Sequence, residues 1–187
     1  MVVRDPFTRL ISIFRERFNA QNRERFENFH IRYQREVDKY TLGEKDKVVE
    51  FGNFNTSFSA FVRFLANNPD EHNSAWDPIF EMCHPCHIRR VFQLKLFEGD
   101  LQFRYNYIAK QENLDDEINA FLNTVDVDTL PRLMMGNLTM ELVEQYMSQI
   151  GPWNIKALAR KYIYDFELFN YPLSKYLPMK PTDAQLT

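Results

Sequence analysis

Glycine is scarce in this sequence, and the glycines that it has are isolated. Only five occur, at positions 43, 52, 99, 136 and 151, so the chain lacks the glycine-rich turn with which Walker and dinucleotide-binding motifs hold phosphates. Long apolar runs are also lacking, because no stretch approaches the ~18 apolar residues of a membrane span. The first residues do not form a signal peptide, since the charged pair Arg4-Asp5 interrupts them. Taken alone, these absences predict a soluble, cytosolic protein.

Positive charge is not in excess either. Lys and Arg number 23 against 26 Asp and Glu, which gives a net charge of −3 and argues against a general nucleic-acid binder. Residues 1–40 are the exception, with nine basic against six acidic side chains, so an anionic ligand is expected at this end. The 187 residues suit one ordinary domain, and 44% hydrophobic against 26% charged residues argues against pervasive disorder.

The first predicted element is an amphipathic helix that begins at Pro6. Asp5 is a good N-cap, and proline suits the first helical position because its missing N–H would be unpaired there. The apolar residues that follow at helical spacing are Phe7, Leu10, Ile11, Phe14 and Phe18. The only apolar residues before the helix are residues 1–3. They are typical of the tail of a strand, and they are fewer than the ~5 residues of a usual strand. We therefore expect the chain to begin in the middle of a domain.

Further helices are predicted wherever apolar residues recur at intervals of three and four. They are marked by Phe26, Phe29, Tyr33, Val37 and Tyr40; by Phe58, Phe61, Val62 and Leu65 after a Ser57 cap; by Leu114, Ile118, Phe121 and Leu122; by Leu142, Val143, Tyr146 and Ile150 after a Thr139 cap; and by Ile155, Leu158, Tyr162, Phe166 and Phe169. Residues 91–97 are the best strand candidate, and residues 43–55 and 69–90 are predicted to be irregular. The tail from Pro172 onward is expected to fray.

The spacing of Arg4 and Ser12 points to a grip on an anion. Arg4 stands where the short strand ends, and Ser12 lies almost two helical turns farther on, roughly 10 Å along the axis at ~1.5 Å per residue. A guanidinium that reaches forward and a hydroxyl on the same flank can hold one group of phosphate size between them. The alternative is an ordinary surface arginine and a helical serine, which spacing alone does not exclude.

Four blocks along the chain carry a family resemblance. They are Val3-Arg4-Asp5-Pro6-Phe7-x-Arg9-Leu10-x-Ser12; Phe58-x-x-Phe61-Val62-Arg63-Phe64-Leu65; Trp76-x-Pro78 followed by Cys83-His84-Pro85-Cys86-His87-Ile88; and Tyr162-x-x-Asp165-Phe166-Glu167-Leu168-Phe169-Asn170-Tyr171. In this order they resemble the Golgi carbohydrate sulfotransferases, among which the chondroitin/dermatan and HNK-1 type enzymes are the most similar subgroup.

The resemblance implies a donor, a fold and a set of site residues. In that family an arginine at a strand end and a serine on the next helix hold the 3′-phosphate of 3′-phosphoadenosine 5′-phosphosulfate (PAPS). Arg4 and Ser12 are therefore the expected cofactor-binding residues, with Arg9 as a secondary, structural member. The implied fold is α/β, an incomplete P-loop-like sulfotransferase fold that is mostly helical here because its N-terminal strands are missing. Residues 1–171 would form the C-terminal part of that domain, and residues 172–187 a tail.

The function that the resemblance implies is transfer of a sulfo group from PAPS to a glycan hydroxyl, with a chondroitin-like acceptor. No metal and no nucleic acid are expected, and the implied location is the lumenal side of the Golgi membrane, reached through an anchor that this chain lacks. The family's 5′-phosphosulfate loop is missing as well, so we expect weak or no turnover from the chain as written. The general base stays unassigned, because His30 and His72 stand in no motif of the family.

The chain departs from the family after its cysteine block. The family runs directly from that block into a tyrosine-rich motif whose counterpart here is residues 105–114, whereas residues 90–103 are extra. This insertion is either the product of an alternative or mispredicted transcript or a genuine surface hairpin.

The cysteine block Cys83-His84-Pro85-Cys86-His87 holds the only two cysteines of the chain. Its spacing matches the attachment pattern of c-type haem and offers ligands to zinc, although adjacent residues do not readily supply a full tetrahedron. A structural cysteine pair is the favoured interpretation, and in an oxidising lumen these thiols would form disulfides. Glycosylation triplets at Asn55 and Asn137 are compatible with a lumenal protein.

Two alternatives concern larger surfaces. Six arginines could line a groove for an anionic glycan, namely Arg15, Arg17, Arg23, Arg25, Arg32 and Arg35. We favour a solvated helix face for most of them, because Glu16, Glu24, Glu27 and Glu36 are interleaved as partners. For the whole chain, the competing class is a non-enzymatic helical interaction domain whose aromatic stripes form a core or a partner surface.

Overall fold

The computed structural model describes residues 2–42, 56–82, 108–125 and 138–177, which are mostly helical with one small parallel sheet. The strands are β1 (Val2–Val3) and β2 (Ala109–Lys110). The helices are α1 (Pro6–Arg17), α2 (Glu27–Phe29), α3 (Arg35–Asp38), α4 (Phe58–Asn67), α5 (Ile79–Met82), α6 (Leu114–Val125), α7 (Met140–Met147), α8 (Pro152–Lys161) and α9 (Ile163–Leu168). The mixture agrees with the expected α/β, mostly helical architecture, while its P-loop-like detail and the domain bounds stay predictions.

The sheet joins the start of the chain to a segment more than a hundred residues away. Val2 pairs with Ala109 and Val3 with Lys110 in parallel register. The strand tail expected at residues 2–3 is confirmed, whereas β2 was missed. The predicted strand at 91–97 lies outside the described residues. Because the strands are parallel, the residues that follow them, Arg4 and Gln111, leave the sheet at the same edge.

Helix α1 forms as its capping signals predict. The Asp5 carboxylate accepts hydrogen bonds from the backbone N–H groups of Phe7 and Thr8, both at 3.0 Å, and Pro6 occupies the first turn. The predicted apolar stripe is buried throughout: Phe7, Leu10, Ile11, Phe14 and Phe18 are all at most 1% exposed. Through this stripe α1 packs on α4 and α7, and α4 packs in turn on α8. The aromatic stripe is therefore core.

The second predicted helix is interrupted by a wider turn. A π-helical turn at His30–Gln34 joins α2 to α3, where periodicity alone predicted one continuous helix over residues 26–40. Its Tyr33 is buried, with its ring 4.7 Å from Trp76, and its hydroxyl donates to Glu71 Oε1 at 3.2 Å. The wider turn thus belongs to the wall of the pocket that buries Trp76.

The predicted last helix over residues 155–169 is two helices. Helix α8 ends at Lys161 and α9 begins at Ile163, with Tyr162 between them at φ −104° and ψ 13°. The buried Tyr162 hydroxyl donates to the carbonyl oxygen of Trp76, and this tertiary hydrogen bond favours the break over a continuous helix.

The expectation that the chain frays from Pro172 onward is wrong as far as Leu177. Leu173–Lys175 form a 3-10 turn, and Tyr176 is buried with its ring 4.7 Å from that of Phe7. Residues 69–90 were expected to be irregular, but they contain the short helix α5. In the described stretches, none of the helices has both the length and the apolar character needed to cross a membrane.

Candidate functional site

Arg4 and Ser12 lie together at the end of the sheet. Arg4 follows β1, and Ser12 is on the flank of α1 that faces it, so the Arg4 Nη1 donates a hydrogen bond to Ser12 Oγ. This is the arrangement that the spacing predicts. A guanidinium has five N–H donors, and this hydrogen bond is the one that Arg4 makes within the described part of the chain. Its other donors have no hydrogen-bond partner among these described residues.

The two side chains open onto a cleft of about 360 Å³. Its lining includes Val3, Arg4, Arg9, Ser12, Ile79 and Gln111. The volume is in the range of ordinary ligand pockets, ~300–1,000 Å³. The lining thus combines apolar side chains with hydrogen-bond donors, and it also includes the carboxylate of Glu16.

Burial shapes the electrostatics of this cleft. Desolvation lowers the pKa of Arg4, while the nearby charges of Glu112 and Asp5 partly offset this effect. An arginine side chain stays protonated in a protein all the same, so its guanidinium is a poorly solvated cation. A bound anion would replace the lost hydration and would be favoured here.

Glu112 and Asp5 hold the backbone behind Arg4. The Asp5 N–H donates to Glu112 Oε1 at 2.8 Å, and the Tyr171 hydroxyl donates to Glu112 Oε2 at 2.9 Å. The Tyr176 hydroxyl donates to Asp5 Oδ1 at 2.8 Å. Burial raises the pKa of Asp5, and it also raises the pKa of both tyrosines. Sequence reasoning missed Glu112 as a member of the site, although it stands inside the tyrosine-rich motif at residues 105–114.

Arg9 also lines the cleft, and its guanidinium is anchored to the protein. Its Nη2 donates to the carbonyl oxygens of Asp77 and, at 3.3 Å, of Ala75, and its Nη1 lies 3.9 Å from Asp165 Oδ2. The side chain is 15% exposed, and within the described residues Nη1 has no hydrogen-bond partner. These contacts support the structural role expected of Arg9, and its role toward a ligand stays a prediction.

Asp165 joins the C-terminal block to the tryptophan block. Its Oδ2 and Oδ1 accept the N–H groups of Ile79 and Phe80 at 2.7 and 2.8 Å. Desolvation raises the pKa of this carboxyl, and the two backbone hydrogen bonds and Arg9 work against that rise. Three of the sequence blocks thus meet at Arg9, Asp165 and the chain around Trp76.

Neither histidine considered as a base lines the cleft. His30 is 5% exposed and packs beside Phe18 and Phe29, with its Nδ1 3.2 Å from Gln34 Oε1. His72 is on the surface, with its Nδ1 3.6 Å from Asp77 Oδ1 and 3.9 Å from Glu81 Oε2. The His72, Asp77 and Glu81 ligand atoms lie within 4.8 Å of one another, but two of the three residues are exposed. The expectation of no metal stays a prediction.

The basic arginines have mixed surroundings. Arg25 lies 3.8 Å from Glu16, and Arg32 lies 3.3 Å from Glu71, with both arginine side chains largely exposed. Arg17 stacks over the Phe26 ring at 4.0 Å. A solvated face remains the better interpretation of Arg25 and Arg32, although their acidic partners lie outside the local helix turns that we expected.

Several sequence predictions fall outside the described residues. They concern the cysteine block at 83–87, the insertion at 90–103, and Asn55 and Asn137 of the glycosylation triplets.

Comparison with known proteins places the chain in a family. A profile of the sulfotransferase family matches residues 1–172, and the chain belongs to this family. It is similar to carbohydrate sulfotransferase 14 of Danio rerio, with 30% identity over 181 residues that cover 92% of this chain and 43% of the relative. Carbohydrate sulfotransferase 12 of Xenopus laevis is 29% identical, with 92% and 39% covered, and carbohydrate sulfotransferase 11 of Rattus norvegicus is 24% identical, with 96% and 48% covered.

The resemblance predicted from the four sequence blocks is confirmed at the level of the family. The chain spans less than half the length of these curated relatives. No solved structure matches it.

Proposed function

We propose that this chain carries the 3′-phosphate side of a PAPS site, in a protein that transfers a sulfo group from PAPS to a glycan hydroxyl. The observation that supports the proposal is the Arg4–Ser12 pair at the cleft. A partly buried guanidinium there keeps donors free beside a hydroxyl, and both face a cavity large enough for a nucleotide phosphate. Arg9, which also lines the cleft, is proposed as a secondary, structural member of the site.

The residues of this chain would act by binding and positioning. Arg4 can donate a planar pair of N–H groups to phosphate oxygens, and the Ser12 hydroxyl can add one more donor. PAPS supplies the transferred sulfo group and leaves as adenosine 3′,5′-bisphosphate. Holding the phosphate in a fixed place orients the donor and lowers the entropic part of the barrier. We assign no general base among the described residues.

The finer parts of the proposal come from the family resemblance. We propose a chondroitin-like acceptor, a Golgi location on the lumenal side, and no metal requirement. Because the chain spans less than half the length of its relatives, we expect the 187 residues alone to bind the bisphosphate and to turn over weakly or not at all.

The alternative, a non-enzymatic helical interaction domain, receives less support from the fold. Its aromatic stripes were to serve as core or as partner surface, and the stripe of α1 is buried inside the chain's own core. Such a domain would also have no reason to keep a partly desolvated arginine at a cleft.

The test is calorimetric titration of the purified chain with adenosine 3′,5′-bisphosphate, with adenosine 5′-monophosphate as the ligand that lacks the 3′-phosphate. We expect tighter binding of the bisphosphate, and binding about three- to tenfold weaker for Ser12→Ala, because one hydrogen bond contributes about 0.5–1.5 kcal/mol. Equal affinity for both nucleotides, or no binding of either, would contradict the proposed site in this chain.

A further inference from the structure

The chain that follows β2 lies directly beside Arg4. Because β1 and β2 are parallel and Val3 pairs with Lys110, the two segments leave the sheet side by side. Gln111 lines the cleft, and Glu112 is the next residue in the 3-10 turn Gln111–Asn113. Glu112 is therefore placed to act on the peptide group that carries Arg4.

Both oxygens of the Glu112 carboxylate have donors, although the residue is exposed. Oε1 accepts the N–H of the peptide bond between Arg4 and Asp5, at 2.8 Å. Oε2 accepts the Tyr171 hydroxyl, at 2.9 Å, and the Lys110 ammonium lies 4.7 Å from the centre of the Tyr171 ring. The carboxylate thus ties the backbone of Arg4 to the C-terminal block and restricts the rotation of that peptide plane.

Glu112 also places a negative charge near Arg4 without accepting a hydrogen bond from its guanidinium. It is the leading charge that offsets the desolvation of this guanidinium. Among the described residues, however, no carboxylate oxygen lies within the 4.0 Å of an ion pair with Arg4. Glu112 therefore offsets part of the desolvation of the Arg4 cation without accepting a hydrogen bond from its N–H groups.

We propose that Glu112 is a positioning residue that presets the Arg4 guanidinium for a phosphate monoester. The inference rests on the proposed function, since it assigns a role within the same site. It extends that function to the turn after β2, and it gives the contacts between Glu112, Asp5 and Tyr171 a purpose in ligand binding. Glu112 acts through Arg4 and does not touch the phosphate.

Calorimetry of the full chain with adenosine 3′,5′-bisphosphate tests the inference. We expect Glu112→Ala to weaken binding five- to tenfold, and Glu112→Gln about threefold, because glutamine keeps an acceptor oxygen for the Asp5 N–H. Tyr171→Phe removes only the hydroxyl that holds Oε2 and should also weaken binding about threefold. The matched control is Glu144→Gln, an exposed glutamate on α7 with the same chemical change, which should bind like the wild type.

Coupling to Arg4 separates positioning from general loss of structure. In an Arg4→Ala background, Glu112→Ala should have no further effect on the affinity for the bisphosphate, and it should leave the affinity for adenosine 5′-monophosphate unchanged in either background. A merely structural role predicts the same loss in both backgrounds and for both nucleotides. Tighter binding by Glu112→Gln than by the wild type would show that the carboxylate repels the phosphate more than it positions Arg4, and it would overturn the inference.

A ligand-free measurement distinguishes failure of this inference from failure of the proposed function. Arginine-selective ¹⁵N NMR follows rotation about the Nε–Cζ bond of Arg4. We expect slow rotation in the wild type, where the hydrogen bond to Ser12 holds the guanidinium. Rotation should be fastest in Glu112→Ala and intermediate in Glu112→Gln, because glutamine keeps an acceptor for the Asp5 N–H. If the wild type does not bind the bisphosphate, the proposed function fails for this chain and the NMR result decides the role of Glu112. Unchanged Arg4 rotation in both variants overturns that role.

Discussion

Arg4 and Arg9 stand five residues apart in one motif, and they differ in what surrounds each guanidinium. Arg4, after β1, lines the cleft, and its guanidinium makes one side-chain hydrogen bond within the described residues, to Ser12. Arg9, on α1, donates to two backbone carbonyls and lies near the buried Asp165. The same residue type is therefore a structural link at position 9 and our proposed ligand-binding group at position 4.

One short motif thus places a proposed binding residue and a supporting residue within three helical turns of each other. Among the residues that the structure describes, removing Arg4 takes the side-chain hydrogen bond from Ser12 alone, and Ser12 is only partly buried. Removing Arg9 leaves two carbonyl oxygens and a buried carboxylate without their cation. We therefore expect substitutions to separate affinity from stability.

Arg9→Ala should have the largest effect on stability. It removes the counter-charge of the buried Asp165 and two hydrogen bonds, and such losses reduce the free energy of unfolding by about 3 kcal/mol. Urea denaturation measures this, with the exposed Arg23→Ala as a control expected to stay within ~0.5 kcal/mol. A stable Arg9→Ala variant that loses nucleotide binding would reverse the roles assigned here.

Arg4→Ala should show the opposite pattern. Losing a charge-assisted hydrogen bond costs about 1.5–3 kcal/mol of binding, which weakens the affinity for adenosine 3′,5′-bisphosphate about ten- to a hundredfold. The free energy of unfolding should change by less than ~1 kcal/mol, because the partly buried cation is replaced by a neutral group. Calorimetry and urea denaturation on the same preparation check both parts. Unchanged affinity would remove Arg4 from the site.

Asp5→Asn should have the smallest effect on the free energy of unfolding, and the size of this effect should depend on pH. Burial raises the folded-state pKa of Asp5 above the ordinary 3.8, so the folded state holds its proton more tightly than the unfolded state. The stability that this tighter proton binding contributes is fully present below pH ~3.8. It is lost as the pH rises through the pKa that Asp5 has in the folded state. Asparagine still caps α1 but does not titrate.

The measurement for Asp5 is the free energy of unfolding of both proteins between about pH 3.5 and 7. Relative to Asp5→Asn, the wild type should lose stability as the pH rises across the acidic part of this range. If the wild type instead gained stability relative to Asp5→Asn as the pH rises, the raised pKa of Asp5 would be contradicted.

Local patterns in the sequence were enough to predict α1, whereas the pairing of Arg4 with Ser12 was one of two interpretations until the family resemblance favoured it. A cap, a proline and an apolar stripe act within a few residues of one another, and two side chains eight residues apart are brought together by the start of one helix. The family profile confirms what the four blocks indicated.

Features that depend on contacts far apart in the sequence could not be predicted in this way. The pairing of Ala109–Lys110 with β1, the break at Tyr162 and the burial of Tyr176 each depend on a partner dozens of residues away or more. Glu112 was missed for the same reason, because its role becomes visible only when Asp5 and Tyr171 are seen beside it.

The hydrogen bond between Tyr176 and Asp5 has a consequence for how the protein matures. Chains leave the ribosome from the N-terminus and fold as they emerge. The carboxylate that caps the first helix gains the Tyr176 hydroxyl only after 171 more residues have been made, so this hydrogen bond cannot form before Tyr176 has emerged. A nascent chain halted before residue 171 would contain Arg4 but lack Tyr171 and Tyr176, whose hydroxyls hold Glu112 and Asp5 beside it.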